Sequence, residues 1–201
     1  MQIDIKNRIV IITGPSTSGK TTLAKKIKEM SPVKTVIIAH DDIAAMIDQN
    51  KTEDEKNEDF WAMLIEKIGE SLEDSENKLV VFGVLGIEDV YIYSLLQMIE
   101  LVSSCYDDVT MIKMNLPVAK HLEFVKSRID SDPKVKLYYR NLEEYWRAII
   151  LQRAYYESSE GSLESDFFVC NEYVISDPKD VQIKFDLVKN KEKQKIKSLY
   201  C

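Results

Sequence analysis

The stretch Gly14-Pro15-Ser16-Thr17-Ser18-Gly19-Lys20-Thr21 limits the possible folds of this 201-residue chain more than any other feature. It matches the pattern G-x-x-x-x-G-K-[S/T] at every fixed position, and it directly follows an apolar run at residues 8–13. A loop that wraps a polyphosphate must turn its backbone N–H groups inward, and glycine reaches the dihedral angles that this requires. The pattern therefore predicts a strand, a phosphate-binding loop and a helix, with a nucleoside triphosphate as the ligand.

Each part of this loop has an expected role. Lys20 is expected to reach the β- and γ-phosphates, and Thr21 to offer its hydroxyl to Mg²⁺. The helix that begins near Gly19 would point its positive dipole end at the anion. The predicted nucleotide-binding residues are Gly14, Ser16, Thr17, Ser18, Gly19, Lys20, Thr21 and Thr22. The alternative is a chance glycine–lysine turn between a strand and a helix.

The composition favours a single α/β domain over residues 1–201, with 45% hydrophobic and 30% charged residues. Three widely spaced cysteines without a C-x-x-C pair suggest reduced thiols and a cytoplasmic protein. No apolar run approaches the ~20 residues of a membrane helix, and no targeting segment is expected. The net charge of −7 argues against a nonspecific nucleic-acid binder. The basic tail at 189–201 is expected to be a solvated end.

Apolar runs and helical periodicity alternate along the chain, which predicts a parallel sheet. Strands are expected at 8–13, 34–39, 79–85, 109–115 and 167–175. Helices are expected at 20–30, 42–49, 57–74, 89–103, 117–129, 137–157 and from about Pro178. Near-continuous apolar strands suit a sheet that is covered on both faces. We therefore expect a three-layer α/β/α fold with a mostly parallel five-stranded sheet.

The second strand is followed by a pair of carboxylates, Asp41 and Asp42. In an open α/β sheet the ligand lies outside the carboxyl ends of the strands, so this pair would stand beside the phosphate loop. Asp42 is closer to the predicted helix and is expected to cap it, which leaves Asp41 as the catalytic carboxylate. The third strand ends without an acidic residue, so Mg²⁺ is expected to rest on Thr21 and Asp41. His40 could touch substrate or metal, but a packing role is the more common one.

The phosphate loop, together with a hydrophobic strand that ends in His40-Asp41-Asp42-Ile43, resembles the small P-loop kinases. The resemblance is to chloramphenicol phosphotransferase, the kinase domain of polynucleotide kinases and the zeta-toxin kinases. It implies a P-loop NTPase fold and an ATP-dependent transfer of phosphate, with Asp41 as general base toward the acceptor hydroxyl. Polynucleotide kinases of this type carry an arginine shortly after the aspartates, where this chain has Ala44 or Ala45. The departure makes a nucleic-acid acceptor unlikely on this comparison.

Phosphoryl transfer also needs cationic groups around the transferred phosphate, and small kinases bring them on a helical lid. The lid is expected at about 128–160, and Arg128 at its start is the first candidate for a catalytic arginine. Arg140, Arg147 and Arg153 follow on the next predicted helix. For Arg147 and Arg153 we expect an exposed face with salt bridges to nearby glutamates. Arg140 is left open.

The acceptor is expected between the helices that follow the second and third strands. Phe60 and Trp61, or Tyr91 and Tyr93, could stack on a ring, although such residues are more often a helix stripe in the core. The acidic stretch at 53–55 favours a neutral or cationic small molecule with a hydroxyl group. Three alternatives stay open: a nucleotide sensor, an ATPase without a small acceptor, and a 5′-hydroxyl nucleic-acid kinase. The nucleotide base and the oligomeric state are not predicted.

Overall fold

The structure is a computed structural model that describes residues 1–6, 8–39, 42–43, 45–48, 50–72, 78–83, 109–158 and 170–187. Its strands are β1 (Gln2–Ile5), β2 (Ile9–Thr13), β3 (Lys34–Ala39), β4 (Lys78–Gly83), β5 (Val109–Met114), β6 (Cys170–Ile175) and β7 (Gln182–Phe185). Its helices are α1 (Lys20–Met30), α2 (Glu53–Leu72), α3 (Val118–Ser131), α4 (Pro133–Tyr138) and α5 (Leu142–Ser158).

Five of these strands form one sheet in the order β3-β4-β2-β5-β6, and every neighbouring pair is parallel. All five residues of the central strand β2 are buried, as expected for a sheet covered on both faces. The predicted parallel five-stranded sheet is confirmed. From β2 the chain crosses to β3 on one side, and β5 lies on the other side. The carboxyl end of β2 is therefore a topological switch point, where α/β sheets bind ligands.

The main core joins the sheet to α1. Alternate residues of β2, Val10 and Ile12, lie in this core with Leu23 and Ile27 of α1, and all four are fully buried. Residues two apart on the strand therefore share a core with residues four apart on the helix, as the geometry of each element requires. Met30 continues the helical spacing of Leu23 and Ile27, but it is the last residue of α1 and is 46% exposed.

A second, two-stranded sheet was missed by the sequence prediction. Strand β1 pairs in parallel with β7, so that Ile3 lies opposite Ile183. The helix expected from about Pro178 was wrong because Ile183 and the residues around it alternate between buried and exposed, which is the period of a strand. On the other side of this segment, Lys26 of α1 donates to the carbonyl of Val181 at 2.7 Å.

The helices that follow β3 and β5 also differ from the expectation. In the range 42–49, where a helix was expected, residues 42–43 are helical, but 45–46 form a turn and 47 a bend. Helix α2 begins earlier than predicted because Thr52 and Glu55 form a capping box: Thr52 N–H donates to the Glu55 carboxylate at 2.9 Å. The helix expected at 137–157 is two helices, since Asn141 caps α5 by accepting from Glu144 N–H at 2.9 Å. The helix expected at 89–103 lies outside the described residues.

The helices α3, α4 and α5 form a second apolar cluster beside the sheet. Its buried members are Val125 and Ile129 of α3, Val135 of α4, and Tyr145 and Ile149 of α5. Of these helices, α4 and α5 lie within the region at about 128–160 that was predicted as a lid, whereas most of α3 precedes it. A membrane-spanning helix would need a longer apolar segment than any helix in the described ranges provides.

Candidate functional site

The backbone of residues 14–19 has the shape that a polyphosphate cradle requires. Gly14 has φ 144°, Thr17 has φ 63° and Gly19 has φ 93°, so three residues of the loop adopt positive φ. A Cβ on Gly14 would lie 2.8 Å from the carbonyl oxygen of Met114, which leaves no room for a side chain. The sequence pattern and the geometry agree on why glycine stands at this position.

Helix α1 starts directly at the end of this loop, and Gly19 caps it without a side-chain hydrogen bond. The first N–H groups of a helix have no partner within the helix, and here no capping side chain takes them. They stand at the positive end of the helix dipole, at the carboxyl end of β2. This arrangement suits an anionic ligand.

Lys20 lies folded back over the loop. Its Nζ donates to the carbonyl oxygens of Gly14 at 2.7 Å and of Pro15 at 2.9 Å. An ammonium group on a flexible side chain can exchange such carbonyl contacts for phosphate oxygens, which bind it more strongly because they are charged. Lys20 is therefore held at the loop and within reach of a ligand in it.

A cleft of about 540 Å³ opens beside the loop. Most of the predicted nucleotide-binding residues line it: Ser16, Thr17, Gly19, Lys20, Thr21 and Thr22. Gly14 and Ser18 do not. Gly14 packs against Met114 beneath the loop, and the side chain of Ser18 is fully buried. The backbone of these two residues shapes the cradle, while the others face the cleft.

Two further walls complete the cleft. On one side are Ala39 and Gly83, which end β3 and β4 and stand opposite each other in the sheet. On the other side are Phe124 and Arg128 of α3 and the segment Pro178–Lys179 that follows β6. The loop thus lies in the middle of the cleft, with a strand-end wall and a helical wall on its two sides.

Arg128 lines this cleft, and its guanidinium contacts Asp132 of the same helix end at 3.4 Å. Its side chain is 36% exposed, so the pair is solvated and weak. Asp41 and His40 lie outside the described residues. Ala39, two positions before Asp41, lines the strand-end wall.

The segment after β6 is attached on both sides. Asp177 forms an ion pair with Lys120 of α3, and Lys26 of α1 donates to the carbonyl of Lys179 at 3.3 Å. Pro178 between them lies against the loop, since a Cβ on Gly19 would be 3.0 Å from its ring. These contacts hold the segment as a fixed wall of the cleft.

A buried histidine that the sequence prediction missed supports the loop from behind. His121 of α3 is fully buried, and its Nε2 lies 2.8 Å from the carbonyl oxygen of Ser16. Its Nδ1 lies 3.1 Å from a guanidinium nitrogen of Arg153, which also donates to the carbonyl of Leu116 at 2.7 Å. Arginine can only donate, so Nδ1 accepts, and Nε2 carries the proton that is donated to Ser16.

The surroundings keep this histidine neutral. Burial lowers the pKa of His121 below its ordinary value of 6.5, the hydrogen bond to Ser16 opposes the shift, and the charges of Arg153 and Lys20 add to it. The neutral ring is also the form that the hydrogen bonds require, because a protonated Nδ1 would face the Arg153 donor.

Both Arg147 and Arg153 were expected on an exposed helix face, and the structure contradicts this for Arg153 only. Arg153 is only 7% exposed and reaches beneath the loop, so it does not belong to an exposed salt-bridged face. Arg147 does: it is exposed and lies 3.5 Å from Glu143. Helical spacing explains the difference, because residues six apart point in different directions. Arg140 is exposed, with its N–H bonded to Glu144.

Helix α5 also touches the loop directly, which the sequence prediction missed. Gln152 Oε1 accepts the Ser16 N–H at 3.0 Å, and the hydroxyls of Tyr145 and Thr17 are 2.7 Å apart. Tyr145, Ile149 and Gln152 share one face of α5 by their spacing of four and three. A polar Gln152 on a buried helix stripe was the signal in the sequence that could have drawn attention to this face.

Among the described residues, the candidate ligand for Mg²⁺ is Thr21. No group of three or more His, Cys, Asp or Glu side chains that could hold a metal occurs within the described ranges. Thr21 faces the cleft at the start of α1, where a P-loop offers a hydroxyl to Mg²⁺ bound with phosphates. An ion that is held mainly by a nucleotide needs few protein ligands, so this site fits Mg²⁺ together with a nucleotide.

Comparison with known proteins gives the fold. No family model and no curated protein matches this sequence. A solved structure from Chloroflexus aurantiacus, provisionally described as a kinase, matches with a TM-score of 0.55 and 13% identity over 94% of this chain and 97% of that one. Kti12 of Chaetomium thermophilum, solved with ADP-AlF3, matches with a TM-score of 0.54 and 15% identity over 84% and 88% of the two chains.

The Pnkp1/Rnl/Hen1 RNA repair complex contains a third match. Its TM-score is 0.51 at 15% identity, over 73% of this chain and 45% of that one. Likeness at such low identity is a likeness of fold, so the chain has the fold of the P-loop kinases, as its sequence motifs indicated.

Proposed function

We propose that this chain is an ATP-dependent phosphotransferase that moves the γ-phosphate of Mg·ATP to a hydroxyl group of a small molecule. The observation that supports this best is the cleft, which brings the phosphate loop, Lys20 and Arg128 together beside the ends of β3 and β4. Such an arrangement provides cationic groups on more than one side of a bound polyphosphate, which phosphoryl transfer requires.

Nucleotide binding is assigned to the loop and the start of α1. In this proposal the backbone of residues 14–19 surrounds the phosphates, while Ser16, Thr17, Thr21 and Thr22 supply polar groups on the cleft side. The base end of the nucleotide would lie along the helical wall, where Phe124 and Pro178 line the cleft. Apolar rings of this kind suit a nucleobase.

Transfer itself needs one base and two cationic contacts. The acceptor oxygen forms a bond to the γ-phosphorus, the bond from that phosphorus to the bridging oxygen of ADP breaks, and the hydroxyl proton passes to Asp41. Lys20 neutralises charge on the transferred group, and Arg128 approaches it from the helical wall. Asp41 is assigned by its sequence position, two residues after Ala39 in the strand-end wall.

The cofactor in this proposal is Mg²⁺, and Thr21 and Asp41 would hold it, directly or through water. When bound, Mg²⁺ shields the phosphate oxygens and orients the leaving group. Thr21 stands at the first turn of α1, so its hydroxyl is placed by the same backbone that shapes the loop.

The acceptor is proposed to be a small, neutral or cationic compound. Helix α2 follows β3, and its first turn carries Glu53, Asp54 and Glu55. Asp54 and Glu55 are exposed, and negative charge on the helix that follows β3 would repel a polyanion. The proposal places the reaction in the cytoplasm, because three widely spaced cysteines without a C-x-x-C pair suggest reduced thiols.

The test is ADP release from Mg·ATP in the presence of a panel of hydroxyl compounds, including nucleosides, sugars, aminoglycosides and 5′-hydroxyl oligonucleotides. Lys20→Ala should weaken ATP binding because it removes a charged contact to phosphate. Asp41→Asn should retain binding and lose about 10²–10⁴-fold in transfer, the usual contribution of a general base. Asp42→Asn is the matched control, since it neutralises the neighbouring carboxylate, which is exposed.

The results separate the candidate functions. Release that is stimulated by a small alcohol and depends on Asp41 but not Asp42 supports the proposal. Stimulation by the oligonucleotide alone would favour a nucleic-acid kinase. ATP binding without any stimulated release would replace the proposal with a nucleotide sensor.

A further inference from the structure

Two side chains of α5 contact the phosphate loop, and they are here called the α5 brace: Tyr145 and Gln152. Tyr145 meets the hydroxyl of Thr17 at 2.7 Å, and Gln152 accepts the N–H of Ser16 at 3.0 Å. These contacts join residues separated by 128 and 136 positions in sequence. They attach the loop to a helix that lies outside the five-stranded sheet.

The loop needs such support at Thr17. Its φ of 63° is the one positive value in the described residues that does not belong to glycine. Threonine is β-branched, and a β-branched residue in this region is strained. Strained residues persist where the surrounding structure holds them. The Tyr145 hydroxyl is a contact of this kind, because it fixes the Thr17 side chain from the outer side of the loop.

The residue next to Thr17 is held as well. Gln152 accepts a hydrogen bond from the Ser16 N–H, and His121 donates one to the Ser16 carbonyl at 2.8 Å. Both backbone polar groups of Ser16 are therefore bonded to helices α3 and α5. Since its two peptide groups are fixed, the chain enters Thr17 in one orientation, and the following N–H groups are directed toward the cleft.

We propose that Tyr145 and Gln152 are positioning residues that hold the phosphate loop in its nucleotide-binding shape before the nucleotide arrives. This inference rests on the proposed function, since it assumes that the loop binds a nucleotide. A preformed loop binds more tightly because less conformational freedom is lost on binding.

Tyr145 allows a clean test because its hydroxyl can be removed without removing its ring. The ring is buried and stacks on Tyr139, with centroids 4.6 Å apart and an interplanar angle of 30°. Tyr145→Phe keeps this stacking and deletes the contact to Thr17. Tyr139→Phe is the matched control, since it removes a phenolic hydroxyl from the other ring of the same stacked pair.

The first measurement is the Kd for Mg·ADP by calorimetry at a temperature where all variants are folded. Tyr145→Phe should raise the Kd about two- to tenfold, the effect of losing one hydrogen bond. Gln152→Leu should raise it at least as much, because it leaves the Ser16 N–H without its partner. Tyr139→Phe should bind like the wild type. Amide hydrogen exchange in residues 14–19 of the ligand-free protein should be faster in Tyr145→Phe and Gln152→Leu than in the wild type and Tyr139→Phe.

A double-mutant cycle distinguishes a specific contact from general loosening. Thr17→Val keeps the branched shape and removes the hydroxyl. If the two hydroxyls act as a pair, adding Tyr145→Phe to Thr17→Val should cause no further rise in Kd. Additive losses would overturn the inference. So would an unchanged Kd in Tyr145→Phe, or an equal rise in Tyr139→Phe.

The kinetic signature separates this inference from the proposed function. Loss of loop support should raise KM for ATP and leave kcat nearly unchanged, because the contact stabilises the bound substrate and the transition state equally. If the wild type binds Mg·ADP but transfers no phosphate, the proposed function fails while the binding test of the brace still stands. If Tyr145→Phe binds normally in an active kinase, the brace fails and the function stands. Absence of nucleotide binding by the wild type would overturn both.

Discussion

The two glycines Gly14 and Gly83 provide a direct test of the loop geometry. They end or follow the adjacent strands β2 and β4, yet their surroundings differ. A Cβ on Gly14 would lie 2.8 Å from both Cβ and the carbonyl oxygen of Met114, at a φ of 144°. A Cβ on Gly83 would lie 3.9 Å from its nearest neighbour, the Cα of Ala39, which is an ordinary contact. Gly14→Ala should therefore be harmful and Gly83→Ala tolerated.

The magnitude for Gly14→Ala follows from two costs. A side chain in a backbone region reserved for glycine costs about 1–3 kcal/mol, and overpacking against the fixed strand β5 costs about 1–3 kcal/mol more. The sum is about 2–6 kcal/mol, or a Tm lower by about 4–24 °C for a chain of this size. Gly83→Ala should stay within about 1 kcal/mol of the wild type, because alanine also restricts the unfolded chain.

Thermal unfolding followed by circular dichroism measures both variants, and calorimetry with Mg·ADP reports on the loop. Gly14→Ala should unfold earlier and lose nucleotide binding, whereas Gly83→Ala should keep its fold. If Gly14→Ala melted within about 2 °C of the wild type, the close packing of the loop on Met114 would be refuted.

Two further predictions concern the residues behind the loop. The lowered pKa of His121 means that the unfolded chain takes up a proton near pH 6.5 while the folded protein does not, so stability should fall as the pH drops below about 6.5, by at most about 1.4 kcal/mol per pH unit. Chemical denaturation between about pH 5.5 and pH 7.5 should show this slope in the wild type and in His40→Gln but not in His121→Gln; an unchanged slope in His121→Gln would assign the effect to another group. Arg153→Met should cost about 1–3 kcal/mol, since it leaves the Leu116 carbonyl and the His121 ring without their donor. Arg147→Met, on the exposed face of the same helix, should change stability by less than about 0.5 kcal/mol, and equal effects of the two substitutions would contradict the placement of Arg153.

Much of the fold was predictable because local pattern and tertiary position agree along the main sheet. Strand β2, the phosphate loop and α1 are consecutive in sequence and in space, and the motif that joins them carries its own backbone requirements at Gly14 and Gly19. The continuous apolar strand β2 fits a place inside a sheet that is covered on both faces, and all of its residues are buried. The kinase-like fold follows from these local features.

Boundaries that depend on single polar contacts were less predictable. The start of α2 is decided by the capping box of Thr52 and Glu55, and the break before α5 by Asn141. These residues have clear capping propensities, but the same residues are common in loops. The pattern of apolar residues alone does not show whether such a residue caps a helix or lies in a loop.

The sequence alone determined the loop at residues 14–21 and the parallel sheet, because the loop depends on residues close in the chain and the sheet on apolar runs that alternate with helical patterns. Only the tertiary structure decided that β1 pairs with β7, that Arg153 and His121 lie beneath the loop, and that Tyr145 meets Thr17. Short strands and single polar side chains carry little periodic signal, and their partners are more than a hundred residues away or on another helix. Their positions are set by which surfaces remain to be covered once the sheet and α1 have packed.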